Sequence, residues 1–467
     1  MVSTDGLIPM NMKLSALTLA AAVLAGCSFI PTHERPAAPV PARFPGQAAE
    51  ASAGAALPAW ESVVADARLR ELIALALQNN RDLRVAALNM EQVRAQYQIR
   101  RADQWPTLNL AATGNRQPNS SGGISSTYTA GVAMASWELD FFGRVAALQD
   151  AALAQFLASE EARRAAQTSL VAAVASGWLS LQADEDLLAL TQRTLTTRED
   201  AVRLTKLRFD NGAASALDLR QAESLAAAAR GTLAQLQRTR AQNLNALSLL
   251  VGQAPPTALL PTAGSDPAVA ALRPVPEGLP SDLLTRRADI RQAEQALIAA
   301  NANIGAARAA FFPRISLTAS VGTVSNELSG LFKDGSWGFA LAPQALLPIF
   351  DAGRNQANLD AARVGRKIAV AQYEKAIQTA FREVADALAG RATLGEQVAA
   401  LQGQADAEAE RLRLTELRHR GGVASSLELL DAQRSLFATQ QALTQVRLAQ
   451  QQNQVALYKA LGGGWKE

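Results

Sequence analysis

The chain has 467 residues, a length sufficient for two or three ordinary domains. Apolar residues make up 49% of it but aromatic ones only 5%, with long alanine-rich stretches, which suits helices packed at close range better than an enzyme interior. A net charge of +3 gives no electrostatic case for nucleic acid, and one cysteine with two distant histidines, His33 and His419, argues against an internal disulfide or a zinc site.

Taken in chain order, the first feature is "MKLSALTLAAAVLAGCS", a lysine followed by an apolar run from Leu14 to Ala25. The run is too short to span a bilayer and has the make-up of a signal-peptide core, so residues 1–26 read as a signal, with translation starting at Met10 or Met12. Leu24-Ala25-Gly26-Cys27 resembles a bacterial lipobox, which implies a covalent lipid on Cys27; no cofactor is expected besides it. Ser28, rather than an aspartate, then sorts the chain to the outer membrane. The alternative is a chance cysteine behind an ordinary signal. Residues 27–59, with "PTHERPAAPVPARFPG", read as an extended tether.

The rest of the chain is duplicated. "LTKLRFDNGAASALDLRQAES" from Leu204 matches "LTELRHRGGVASSLELLDAQR" from Leu414, an offset that also relates Gly143-Arg144 to Gly353-Arg354 and Gly252 to Gly462. Upstream, "RDLRVAALNMEQVRAQYQIRRADQWPTLNL" parallels "ADIRQAEQALIAANANIGAARAAFFPRISL" at an offset three residues smaller, so an indel falls between about Leu110 and Trp137. Repeat 1 is expected over 60–252 and repeat 2 over 281–463. A linker with seven prolines lies between them at 253–280, and a short tail follows at 464–467.

Each copy reads alike. A helix (81–104, then 289–310) stops before Trp105-Pro106 or Phe312-Pro313, because proline disfavours helix in its predecessor. Alternation with period two follows: Ile315, Leu317, Ala319 and Val321 share one face. Asn/Ser/Gly-rich loops then give a β-hairpin in each copy, at about 107–137 and 314–347. From Arg144 to Phe209 there is no proline, so a helix of about 100 Å is expected at 1.5 Å per residue. Glycine turns at "FDNGAAS" and "RHRGGVAS" send the chain back, giving long helices over about 144–251 and 354–461. On the return helices Leu219, Ala222, Ala226, Ala229, Leu233 and Leu236, and in the copy Leu429, Ala432, Leu436, Thr439, Leu443 and Val446, keep a spacing near 3.5, as in coiled coils.

With these motifs in view, the chain resembles the outer-membrane efflux family, the TolC-like channels, and within it the NodT-type lipoprotein branch of resistance-nodulation-division (RND) systems. The most distinctive stretch is "LPSDLLTRRADIRQAEQALIAANANIGAARAAFFPRISLTASVG" (Leu279 to Gly322), supported by "WELDFFGR", "LPIFDAGR" and "LLDAQRSLF". Ala288 stands where the family usually has proline, which only relaxes a helix start. The resemblance implies a mainly α chain with a membrane β-barrel. Three copies would form one 12-stranded outer-membrane barrel and one periplasmic α-helical barrel, with an equatorial belt. Its partners would be a periplasmic adaptor, an inner-membrane RND-type pump and outer-membrane lipid.

The resemblance also assigns site residues. Leu427 becomes an apolar gate and Asp431 an acidic ring at the periplasmic constriction, with Glu428 one turn away and Arg434 as polar partner. Leu217, Asp218 and Gln221 are their first-copy counterparts. From the residues alone, Asp431 and Arg434 read equally as an exposed i, i+3 pair. Arg208, Gly212, Ser215, Arg418, Gly421, Gly422 and Ser425 are adaptor-contact positions by resemblance, and helix caps by local chemistry. Tyr128, Trp137, Trp337 and Phe339 suit aromatic girdles, while Trp60 and Trp465 read as local packing. No nucleophile–base pair or phosphate loop stands out in the sequence, so an enzyme is not expected. Competing readings are the outer channel of a type I protein secretion system and a non-pore periplasmic coiled-coil lipoprotein.

Overall fold

A computed structural model describes residues 28–45, 58–118, 120, 122–264, 273 and 280–463. The signal, Cys27 and Trp465 lie outside the described residues. Repeat 1 comprises α1 (Ala67–Asn79), α2 (Arg81–Ala102), β1 (Leu108–Pro118), β2 (Ile124–Leu139), α3 (Arg144–Asp210) and α4 (Ala216–Val251). Repeat 2 follows the same order: α5 (Pro280–Arg286), α6 (Ala288–Ala309), β3 (Arg314–Ser325), β4 (Trp337–Leu346), α7 (Arg354–Arg420) and α8 (Ser426–Ala460). Two of the helix pairs keep their length across the duplication. α2 and α6 have 22 residues each, and α3 and α7 have 67 each.

Two compact units can be distinguished, and both repeats contribute to each. One holds the strands, in a single antiparallel sheet of order β1-β2-β3-β4. The duplicated hairpins therefore pair with each other through β2 and β3. The register places Met134 opposite both Leu108 and Ala319, then slips before Trp137, which faces Leu317. Ser136 takes a φ of 46° at that slip, a left-handed conformation that re-aims the following side chain. β1 extends to Pro118, beyond the "TLNLAAT" alternation, because a proline is tolerated at the end of an edge strand. Among the described residues, the outer edges of β1 and β4 have no partner strand.

At the base of this sheet Glu138 accepts from Arg144 at 2.8 and 2.6 Å and pairs with Arg314 at 2.5 Å, tying strand ends to the start of α3. Tyr128 and Trp337 lie at the loop end, paired with Ser325 and Thr323, with Phe339 opposite Val321. Trp137 lies near the helix end. The four aromatics thus occupy two levels along the sheet.

The other unit is helical. α1 is capped by Asp66, whose side chain accepts from the backbone of Arg68 and Leu69, and buries Leu69, Leu72 and Ile73 completely. Trp178 of α3 is buried beside them and donates to the Leu259 carbonyl at 3.0 Å. α4 buries Leu219, Ala222, Ala226 and Ala229 as its spacing predicts. Leu233 and Leu236 are only half-buried, and burial resumes at Leu247 and Val251. In α8 the predicted Ala432, Thr439 and Leu443 are buried, while Leu429, Leu436 and Val446 are half-buried. Among the described residues no helix is long and apolar enough to cross a membrane.

Candidate functional site

The two helix-to-helix tips are built by the same local rules. Gly212 and Gly422 both take φ of +72°, the left-handed conformation in which a glycine ends a helix without steric cost. Backbone bonds close each turn: Ala213 donates to the Arg208 carbonyl at 2.7 Å, and Val423 to the Arg418 carbonyl at 2.9 Å. Return helices then start from capping boxes. Ser215 and Asp218 exchange bonds in the first copy, as Ser425 and Glu428 do in the second. Asp218 and Glu428 are therefore engaged in starting their own helices. The Ser215 hydroxyl and backbone hold the Asp218 carboxyl below the usual carboxylate range.

Beyond the capping box the copies diverge. Asp431 accepts from Arg411 of α7 at 2.6 Å and from Arg434 of its own helix at 2.5 Å. Arg411 also bonds Glu408 at 3.0 Å, so one carboxylate bridges two guanidiniums and ties α7 to α8. The Arg411 hydrogen bond, with Arg434 adding attraction, holds the Asp431 carboxyl below its ordinary range. Arg418 lies 3.9 Å from Glu428, a looser pair on the exposed surface. Leu427 is 59% exposed and Leu217 67% exposed, an apolar side chain on the outside of each return helix.

In the first copy the positions matching Arg411, Asp431 and Arg434 are Ala201, Gln221 and Ser224, so no equivalent bridge can form. Farther from the tip α3 and α4 are joined by Arg230–Glu199 at 2.7 Å and Arg240–Glu185 at 2.5 Å, and by a buried arginine. Arg198 is buried, donates to the Leu225 carbonyl at 2.9 Å, and sits 5.1 Å from the ring centroid of Phe437 in α8. Phe437 thereby links the two hairpins across repeats.

The sequence reading brought together Leu427, Glu428, Asp431 and Arg434 on one stretch, and the structure keeps them there. It omitted Arg411, although the signal was available: Arg411 and Asp431 stand ten residues either side of Gly421, which places them opposite each other in an antiparallel helical hairpin. Arg198 was also missed, because its partners are a backbone carbonyl and a ring rather than an acid. Among the described residues no group of His, Cys, Asp and Glu side chains is placed to hold a metal ion.

Comparison with known proteins matches the outer membrane efflux protein family model in two segments, residues 72–253 and 279–463, one per repeat. The chain belongs to the outer membrane efflux protein family. Among relatives of this efflux protein, the toluene efflux pump outer membrane protein TtgC of Pseudomonas putida is 46% identical over 470 residues, covering 98% of this chain and 97% of its own. Outer membrane protein OprJ of Pseudomonas aeruginosa is 48% identical over 464 residues, covering 97% and 96%. Of solved structures, the open state of the MtrE outer membrane channel of Neisseria gonorrhoeae matches with a TM-score of 0.85 at 43% identity, covering 94% of this chain and 98% of that one. The family is one of transport components rather than enzymes, and the efflux protein is an outer-membrane one.

Proposed function

We propose that three copies of this efflux protein close into a 12-stranded outer-membrane barrel continued by a periplasmic helical tunnel, forming the exit duct of a tripartite pump. One observation carries the reading: among the described residues the sheet ends on two unpartnered edges, β1 and β4. Four strands cannot close a barrel, for which about eight is the minimum, and an open edge facing lipid leaves backbone groups unsatisfied. Pairing β4 of one copy with β1 of the next satisfies both edges and closes at twelve strands. The 67-residue helices α3 and α7 would wall the tunnel.

In this reading Leu427 and Asp431 face the threefold axis at the closed tip, and three like charges there favour cations over anions. The tip residues Arg208, Gly212, Ser215, Arg418, Gly421, Gly422 and Ser425 meet a periplasmic adaptor, which joins an RND-type pump. Cys27 carries the lipid. Because a relative is named for toluene efflux, small apolar molecules are the fitting cargo rather than a secreted protein.

Migration in detergent before and after heating, with conductance in planar bilayers, tests the assembly. A heat-resistant trimer that conducts is expected. A monomer that never conducts overturns it in favour of the coiled-coil lipoprotein.

A further inference from the structure

The residues that follow Cys27 do not hang free. Over 28–37 the chain lies along α6 and is fastened at nearly every second residue. The Phe29 ring stacks on Phe312 with centroids 4.7 Å apart, and Phe312 stacks in turn on Phe142 at 5.0 Å. Arg308 donates to the Phe29 carbonyl at 3.1 Å. Ile30 occupies the space beside Gly305, where a Cβ would come within 2.6 Å of its side chain. Further along, the Arg35 guanidinium grips both oxygens of Glu294 at 2.7 and 2.9 Å. A segment held this way fixes where its first residue emerges.

That residue opens onto a cavity of about 670 Å³ at the base of the first hairpin. Its apolar wall is made by Ile30, Trp137, Leu139, Phe141 and Ala147, and Ser28 stands on the same wall. Trp137 is set there by the register slip after Met134 and by its indole N–H, which donates to the Gln104 carbonyl at 3.2 Å. No lysine or arginine lines the cavity, whereas Glu138, Asp140 and Asp150 do. An anionic phosphate headgroup would be repelled, and an uncharged hydrocarbon would not. Cys27 immediately precedes Ser28 in the sequence.

We propose that an acyl chain carried by Cys27 lies in this cavity, so that the anchor docks on the protein as well as in the membrane. The inference rests on the lipidation of Cys27 described above. A single acyl chain binds a bilayer only marginally, so withdrawing one chain into protein sacrifices little anchoring in a molecule whose strands already hold it in the membrane. In exchange it covers the apolar wall of the cavity and fixes the strap to the hairpin base.

The full-length protein, purified from membranes with benzoylphenylalanine in place of Phe141 or, in a second variant, Leu139, tests this by photocross-linking and peptide mass analysis. The expected product joins the lipid-bearing peptide that begins at Cys27 to the peptide holding residue 141 or 139, within one chain. The same probe at the exposed Phe339 should capture bulk phospholipid and not the anchor. Cross-links from both cavity positions to free phospholipid, to another copy of the chain, or to nothing would overturn the docking while the Cys27 peptide still shows its lipid mass. A Cys27 peptide without that mass, read before illumination, would overturn the lipidation itself and the docking with it.

Discussion

In the first repeat the Leu250 carbonyl, at the end of α4, takes a hydrogen bond from the Asn80 amide at 2.9 Å. At the matching point of the second repeat, the Ala460 carbonyl takes one from the Arg287 guanidinium, also at 2.9 Å. The joint is the same: the residue ahead of a 22-residue helix secures the last turn of the return helix. Its chemistry is not. Asn80 is neutral and also caps α2 through Leu83, whereas Arg287 is a buried cation that needs Asp289 and Glu383, at 2.6 and 2.7 Å, to offset its desolvation. The adjacent glycines show the same partial divergence. Gly252 has φ of 79° and a Cβ there would meet the Asn79 carbonyl oxygen at 2.3 Å, while at Gly462 the nearest backbone stands off at 3.2 Å. After duplication the backbone demand persists, and each side chain is free to meet it by another route.

The largest test of that contrast is Arg287→Met, which strands two carboxylates against an apolar joint. It should cost about 3 kcal/mol, the lower end for breaking a buried pair because both acids are partly exposed, read as a fall in thermal midpoint by circular dichroism in detergent. Asn80→Ala leaves a carbonyl and a helix start without their partner and should cost less, about 1–2 kcal/mol in the same assay. If the two losses were equal, the charged joint would be no more demanding than the neutral one.

Glycine positions give a finer comparison. Gly252→Ala meets both the left-handed backbone and the Asn79 carbonyl, whereas nothing lies within 4 Å of a Cβ at Gly212. Gly212→Ala should therefore cost only the conformational term, about 1–2 kcal/mol, and Gly252→Ala clearly more.

The smallest effect concerns the tips. Asp431→Asn loosens the α7–α8 bridge and should raise mean conductance about two-fold, as befits an exposed pair, while Gln221→Ala in the first copy, which lacks a counterpart of that bridge, leaves it unchanged. Since the folded-state pKa of Asp431 is depressed, its bridge is fully present above the unfolded carboxylate value and is lost as pH falls through the folded one. Conductance of the parent should hold steady from neutral pH down to about 4 and rise only below it. A rise already complete at pH 6 would assign the gate to another group.

Periodicity and punctuation made much of this fold legible. Proline stops at 105–106 and 312–313, alternation in β3, and a proline-free run after Arg144 gave the elements to within a few residues, because each is a local backbone constraint. Internal matching at two offsets gave the repeats. What could not be read was how elements meet. That β2 pairs with β3, and that Arg198 reaches a ring in the other repeat, depends on long-range packing with no local signature. The strap shows the limit well: "PTHERPAAPVPARFPG" reads as a tether by composition, yet Arg35 finds Glu294 far along the chain. Half of the tip was legible for the same reason: Ser425 and Glu428 interact across one turn, whereas Arg411 comes from the facing helix.

A consequence remains in the equal length of α3 and α7. A helix is a screw, so removing one residue from α7 shortens it by only about 1.5 Å but turns everything beyond by about 100°. Asp431 and Leu427, carried past the tip on the return helix, would be swung away from whatever they face, with every hydrogen bond along α7 intact. The 67 residues thus act as an angular setting as much as a span. A deletion of seven residues, almost two whole turns, should harm gating less than a deletion of one or two.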